Sequence, residues 1–345
     1  MDLARWLGIE HPVLQAPMAG VQGHALAAAV CRAGGLGALP AAMLTPEQLA
    51  DELHALRQAT SAPFNVNFFC HRPPVPDEAV LARWRDALAP AYAQAGIDPA
   101  TVPAGAGRQP FSHAVADVVE PFRPAVVSFH FGLPEPALLA RVKGWGSKVL
   151  SSATTVDEAR WLEAHGADAV IAQGLEAGGH RGMFLDHEIA TQLGSLALWP
   201  QVVRAVRVPV IAAGGVVDAA TVRAARALGV HGVQAGTAYL LCDEALTSPL
   251  HRAALQAGGP TALTNVFTGR PARGIVNHAV RAWGPMSPLA PAFPLATGAM
   301  APLRSWAESR GDSGFTPLWA GQHHRGLSTG GAAGITAALA AGWRA

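Results

Sequence analysis

The sequence predicts an α/β protein built as a (β/α)8 TIM barrel, and three observations carry that reading. Eight short apolar runs lie between residues 13 and 235, most of them separated by helical stretches. Several runs stop abruptly at Gly, Asn, Gln or His, as barrel strands do where their C-terminal ends present chemistry. The chain has 345 residues, and 50% of them are hydrophobic, which suffices for one barrel with insertions. A doubly wound open sheet also alternates strand and helix, and it is the competing architecture.

Residues 13–16 form the first strand, which ends in the sharp turn Pro17-Met18-Ala19-Gly20. Residues 24–32 are an Ala-rich helix stopped by Gly34-Gly35. Residues 36–39 are a second strand of small residues. Thr45 reads as an N-cap with Pro46 at the first helical position, so a helix runs to about Ala59. Residues 64–69 are the third strand and carry Asn67 near its end.

The period then breaks. Residues 70–124 hold a helix over 77–95, a Gly/Pro loop and a short helix over 112–119. This stretch reads as an insertion after the third strand, too poor in apolar periodicity to own a core. Residues 125–131 are the fourth strand and 148–153 the fifth, after which Thr155 caps a helix to His165. Residues 169–173 are the sixth strand, followed by a long loop over 175–198 and a helix near 200–206. The seventh strand, 208–213, ends in Gly214-Gly215, and Asp218 caps a helix to Leu228. The eighth, 232–235, ends in Gly236-Thr237. Residues 245–345 read as helices and loops around the barrel mouth, with 245–325 on the substrate side. The whole of 1–345 reads as a single domain.

Charge is near balance, at +1 with 14% charged residues, so neither a nucleic-acid partner nor a cationic one is expected. Cys31, Cys70 and Cys242 are odd in number, far apart and without a CxxC pair, which argues against a disulfide framework and a zinc site. No basic segment precedes an apolar stretch at the N-terminus, and no apolar run is long enough to span a bilayer. The expectation is a cytoplasmic protein without a membrane or metal partner, monomeric or homodimeric.

Two glycine bends follow the last two strands. Barrels bind phosphate with these two loops and a nearby helix N-terminus, where backbone N–H groups meet the dianion. No GxGxxG follows a first strand, so a Rossmann site has no support. A flavin mononucleotide fits the remaining strand ends best. Met18 offers backbone and an apolar side chain to the ring, and the Asn67 and Gln173 amides offer donors and acceptors. In the run Gln173-Gly174-Leu175-Glu176-Ala177-Gly178-Gly179-His180-Arg181-Gly182, glycines allow close approach to a flat ligand and His180 supplies a titratable ring. Glu176 reads as orienting Arg181 or a backbone group. His11, His54, His165, His231 and His251 read as surface or packing residues. His323-His324 lacks the partners of a metal cluster.

These motifs, with Ala16-Pro17-Met18-Ala19-Gly20, Asn67-Phe68-Phe69, Ser128-Phe129-His130-Phe131-Gly132, Gln234-Ala235-Gly236-Thr237 and Gly269-Arg270-Pro271-Ala272-Arg273-Gly274, resemble the nitronate monooxygenases, formerly 2-nitropropane dioxygenases. The resemblance runs from about residue 11 to 325. It implies an FMN-dependent barrel that oxidises alkyl nitronates, of the propionate 3-nitronate type, with O2 to a carbonyl compound and nitrite by way of a flavin semiquinone. It implies FMN contacts at Asn67, Gln173, Gly178, Gly215 and Gln234 to Thr237, with Met18 and Gly214 beside them. His180 matches the catalytic histidine and His130 a pocket residue. Where relatives carry tyrosines around the substrate, this chain has Phe293, which donates no hydrogen bond. The alternatives are an FMN-dependent NAD(P)H:quinone or enoyl-thioester reductase on the same scaffold, and a non-catalytic flavin or nucleotide binder.

Overall fold

The protein is described here from a computed structural model, over residues 2–102 and 108–344. The Gly/Pro loop expected between the two insertion helices falls in part on residues 103–107, outside the described residues. Eight parallel strands form one sheet: β1 (Val13–Gln15), β2 (Gly37–Pro40), β3 (Phe64–Phe69), β4 (Val126–His130), β5 (Lys148–Ala153), β6 (Ala169–Gln173), β7 (Val210–Ala213) and β8 (Gly232–Ala235). Each strand pairs in parallel with its neighbour in sequence, and β8 pairs with β1. The last gap is bridged at Leu14 and Leu36, where Gln15 N–H donates to the Leu36 carbonyl at 3.0 Å and Leu36 N–H to the Val13 carbonyl at 2.9 Å. The ring of strands with helices outside it is a (β/α)8 barrel, and the open doubly wound sheet is ruled out.

The period-two alternation of each strand divides its residues between two cores. Val170 and Ala172 of β6, Val210 and Ala212 of β7, and Val233 and Ala235 of β8 face outward into the helix layer with Leu162, Leu198, Val222 and Leu339. Leu14, Val126, Leu150, Ala169, Ile171 and Ile211 point inward and fill the lower barrel, which the first helix (Leu3–Leu7) plugs with Leu3 and Leu7. Above that plug the inward positions turn polar: Asn65 and Asn67, Ser128 and His130, Ser152, Gln173 and Gln234. The apolar plug thus leaves a polar chamber open at the C-terminal end of the strands.

Two expectations are corrected, and the insertion's packing is defined. The last helix, Ala332–Arg344, does not stay at the mouth. It returns to the barrel wall and packs on Ala219–Ala227 and His24–Arg32, closing the outer ring with buried Ile335, Leu339 and Ala340. The loop expected over 175–198 is shorter. Gly179–His180 pairs antiparallel with Ala272 and Arg273 in a small sheet over the mouth, and a helix begins at Ser195, with Pro200 inside it. The insertion helix, Glu78–Ala95, joins a shared satellite core. Its Trp84, Leu88 and Tyr92 pack with Leu303 and Ala307 of Ala296–Glu308 and with Val280. Tyr92 also donates its hydroxyl hydrogen to the Ala299 carbonyl at 2.6 Å. The insertion therefore borrows its core from the C-terminal segment.

Among the described residues, no helix is long and apolar enough to cross a membrane.

Candidate active site

One cavity opens at the C-terminal ends of the strands, with an empty volume of about 1370 Å3 when the open solvent at its mouth is counted. Met18, Asn67, His130, Gln173, Gly178, His180, Gly214, Gly215, Gln234, Gly236 and Thr237 all line it. Ala235 does not. It lies next to inward-facing Gln234, so the alternation of β8 turns its methyl outward into the helix layer. Phe293 also lies off the lining and stands one layer back, its ring 5.3 Å from that of His180.

At one end the chain makes a cradle of backbone. Gly214 (φ 103°) and Gly215 (φ 77°) both adopt the left-handed region, where a side chain is strained. A Cβ on Gly178 would stand 2.5 Å from the Gly321 amide nitrogen. The loop residue Glu176 fixes this end. Its carboxylate accepts from the Ser195 amide at 2.8 Å and lies 2.7 Å from the Ser195 hydroxyl, which also lies 2.9 Å from the Gly214 carbonyl. Glu176 therefore orients a helix N-terminus, and it makes no hydrogen bond to Arg181. His323, which sequence reasoning missed, reaches the cradle from the far end of the chain and places Nδ1 3.3 Å from the Gly215 carbonyl.

The strand-end residues serve the loop as well as the cavity. Gln173 donates from Nε2 to the His180 carbonyl at 3.0 Å and accepts the Gly182 amide on Oε1 at 2.8 Å. Both ends of this amide thus hold the loop and leave little for a ligand. Met18 has its N–H bound to Gln22 Oε1 at 2.9 Å, so it offers side chain and not backbone donor. Arg181 is fully buried and staples the loop by donating to Gln192 Oε1, the Gly174 carbonyl and the Gln173 carbonyl at 2.7–3.0 Å. Burial pushes its pKa down to about 9, so it stays charged at neutral pH.

His180 lines the same cavity. Phe293, Trp319, Phe69 and Phe131 surround its ring with centroids 5.3–6.1 Å away. Nε2 lies 3.0 Å from the Thr268 hydroxyl, and that hydroxyl points on to the Arg270 carbonyl at 3.5 Å. With the Thr268 hydroxyl hydrogen turned to the Arg270 carbonyl, this chain assigns Nε2–H as donor and leaves Nδ1 the lone pair. Burial, then the positive charge of Arg108, holds the His180 pKa well below the usual histidine range. His130 is neutral for a similar reason. Nε2–H donates to the His180 carbonyl at 3.1 Å, Nδ1 faces the Ser152 hydroxyl at 3.0 Å, and burial pushes the pKa down to about 3.

Arg108, Thr268 and Trp319 join the site from irregular segments with no periodicity to announce them. His251 was expected at a surface or in packing. It is buried, lines the cavity, and leaves Nε2 without a hydrogen-bond partner among the described residues.

Comparison with known proteins adds an independent line. A family model described as nitronate monooxygenase matches residues 2–340. A nitronate monooxygenase of Paraburkholderia phytofirmans is 42% identical over 324 residues, 92% of this chain and 87% of that protein. One of Pseudomonas aeruginosa is 42% identical over 327 residues, 92% of each chain. A solved structure of a nitroalkane oxidase from Streptomyces ansochromogenes is 39% identical with a TM-score of 0.91, covering 99% of this chain and 98% of that one.

Proposed function

The chain belongs to the nitronate monooxygenase family, and from that premise we propose that it uses FMN to oxidise alkyl nitronates with O2, giving a carbonyl compound and nitrite. The observation that supports this reading is that a single cavity is lined both by the glycine cradle and by the neutral His180 imidazole. The residues fit the cofactor on structural grounds. The space lies at Gly215, where a Cβ would meet nothing closer than Glu176 Cβ at 3.9 Å, and a phosphoryl group fits against the glycine backbone there. Gln234 Oε1 is buried without a partner among the described residues, an acceptor matched to a hydroxylated or N–H-bearing ligand.

When bound, FMN supplies the electron transfer and the reaction with oxygen. The chain's own residues do the rest. Gly214, Gly215, Gly236, Thr237 and His323 would grip the phosphate, while Asn67, Gln234 and the Met18 side chain flank the ring. Asn67 Nδ2 donates to the Ser128 carbonyl at 3.2 Å and to its hydroxyl at 2.9 Å, so its carbonyl oxygen is turned toward the cavity as an acceptor. The aromatic wall around His180 excludes water from the reacting centre. His180 Nδ1 accepts the α-proton of a neutral nitroalkane. The cationic alternative, an imidazolium holding the nitro group, is disfavoured because burial and Arg108 keep this ring neutral.

The test is the absorption spectrum of freshly purified protein, followed by anaerobic mixing with a nitronate. A yellow protein whose flavin band bleaches rapidly with nitronate and slowly with NADH is the expected result. Rapid bleaching by NADH with no response to nitronate would hand the site to the reductase reading.

A further inference from the structure

We propose that Arg108 is the substrate anion receptor of this site, its guanidinium taking the two oxygens of the nitronate in place of the hydroxyl donors that the aromatic wall lacks. The inference rests on the nitronate reading above and deepens it. Phe293 and its neighbours Phe69 and Phe131 have no donors to offer. His180 spends Nε2 on Thr268, and His71 places Nε2 2.9 Å from the Arg108 carbonyl. Trp319 keeps an indole N–H in this wall, but a neutral donor leaves the charge of a nitronate unbalanced.

Arg108 lines the cavity, with Cζ 5.6 Å from the Phe293 centroid and therefore in the same aromatic box as His180. Among the described residues that line the cavity there is no Asp, Glu or Lys, and Arg108 is the one arginine. It enters no ion pair among the described residues, and its Nη1 is buried there without a partner. A buried guanidinium with an unused donor is costly unless an anion completes it. A nitronate offers two oxygens on one nitrogen, the same planar spacing as a carboxylate, and a guanidinium matches such a pair with two parallel N–H donors. Arg270 also lies near His180 and keeps a buried Nε without a partner among the described residues, but it does not line the cavity: it lies 3.9 Å over the Phe131 ring and donates to the Met183 carbonyl.

The experiment compares Arg108→Met and Arg108→Lys with the wild-type holoenzyme in two assays. Steady-state kinetics with ethylnitronate should show kcat/KM falling roughly tenfold or more in Arg108→Met, chiefly through KM, with partial recovery in Arg108→Lys. Calorimetric titration with sodium nitrate, a planar oxyanion that does not react, should show saturable binding to the wild type that Arg108→Met loses and Arg108→Lys weakens. Flavin content should be equal in all three. Unchanged nitronate KM and unchanged nitrate affinity in Arg108→Met would overturn the proposal, as would a wild type that binds no nitrate. Loss of kcat alone in both variants would also overturn it, since that marks a structural role. A wild type that binds nitrate through Arg108 yet turns over no nitronate would sink the functional reading and leave the anion receptor standing.

Discussion

His180 is kept uncharged by its surroundings and not by any one partner. Its ring sits among Phe69, Phe131, Phe293 and Trp319, and the charges nearest it are positive. Protonating it costs the desolvation of an imidazolium and brings one more positive charge beside Arg108. The acid limb of kcat/KM for a neutral nitroalkane should therefore fall below pH 6.5, the ordinary value for histidine. His180→Asn should keep its flavin and its fold and lose roughly 100-fold or more of that turnover, the range of a general base. Its remaining activity should show no such limb. Pre-formed nitronate, which has no α-proton left to remove, should be affected less. A variant with full nitroalkane turnover would remove His180 from the chemistry.

At the scale of elements, the cradle is the part least tolerant of change. Gly214 and Gly215 follow a four-residue strand whose every residue is buried, and their left-handed φ values turn the chain before the Asp218-capped helix. Gly215→Val places a β-branched side chain in a conformation it rarely adopts and on the face proposed to take the phosphate. It should purify folded but largely colourless, with FMN affinity lowered roughly tenfold or more. A yellow Gly215→Val with wild-type flavin content would move the phosphate elsewhere. The strand ends were the legible part of the sequence, because buried parallel strands are short apolar runs and their ends are marked by Gly, Asn and Gln. Period two also tells Gln234 from Ala235, so the outward methyl of Ala235 was readable and was passed over. Arg108, Thr268, Trp319 and His323 were not readable. Each comes from an irregular segment, and only the closed tertiary fold brings positions 108, 268, 319 and 323 to one mouth. Pro200 misled in a different way. It reads as a helix start, yet it sits inside Ser195–Ala205, whose start Glu176 fixes by accepting from the Ser195 amide.

At the scale of the whole molecule, buried neutral histidines make the fold sensitive to acid. Burial pushes His71 and His251 down to about 4 and His130 down to about 3. In the unfolded chain each returns to about 6.5, so as pH falls the unfolded chain takes up protons first. Their stabilising contribution is complete above pH 6.5 and is lost as pH falls toward 4 for His71 and His251 and toward 3 for His130. These three residues lie on different elements, at the start of the insertion, at the end of β4 and on the helix Pro249–Ala257, so acid loosens the mouth from several sides at once. Between pH 7 and pH 5 the melting temperature should fall by roughly 5–10 °C. His251→Gln, which removes one of these titrations, should flatten the slope even if it lowers the plateau. A melting temperature constant from pH 7 to pH 5 would mean that these rings reach solvent and keep their ordinary pKa values.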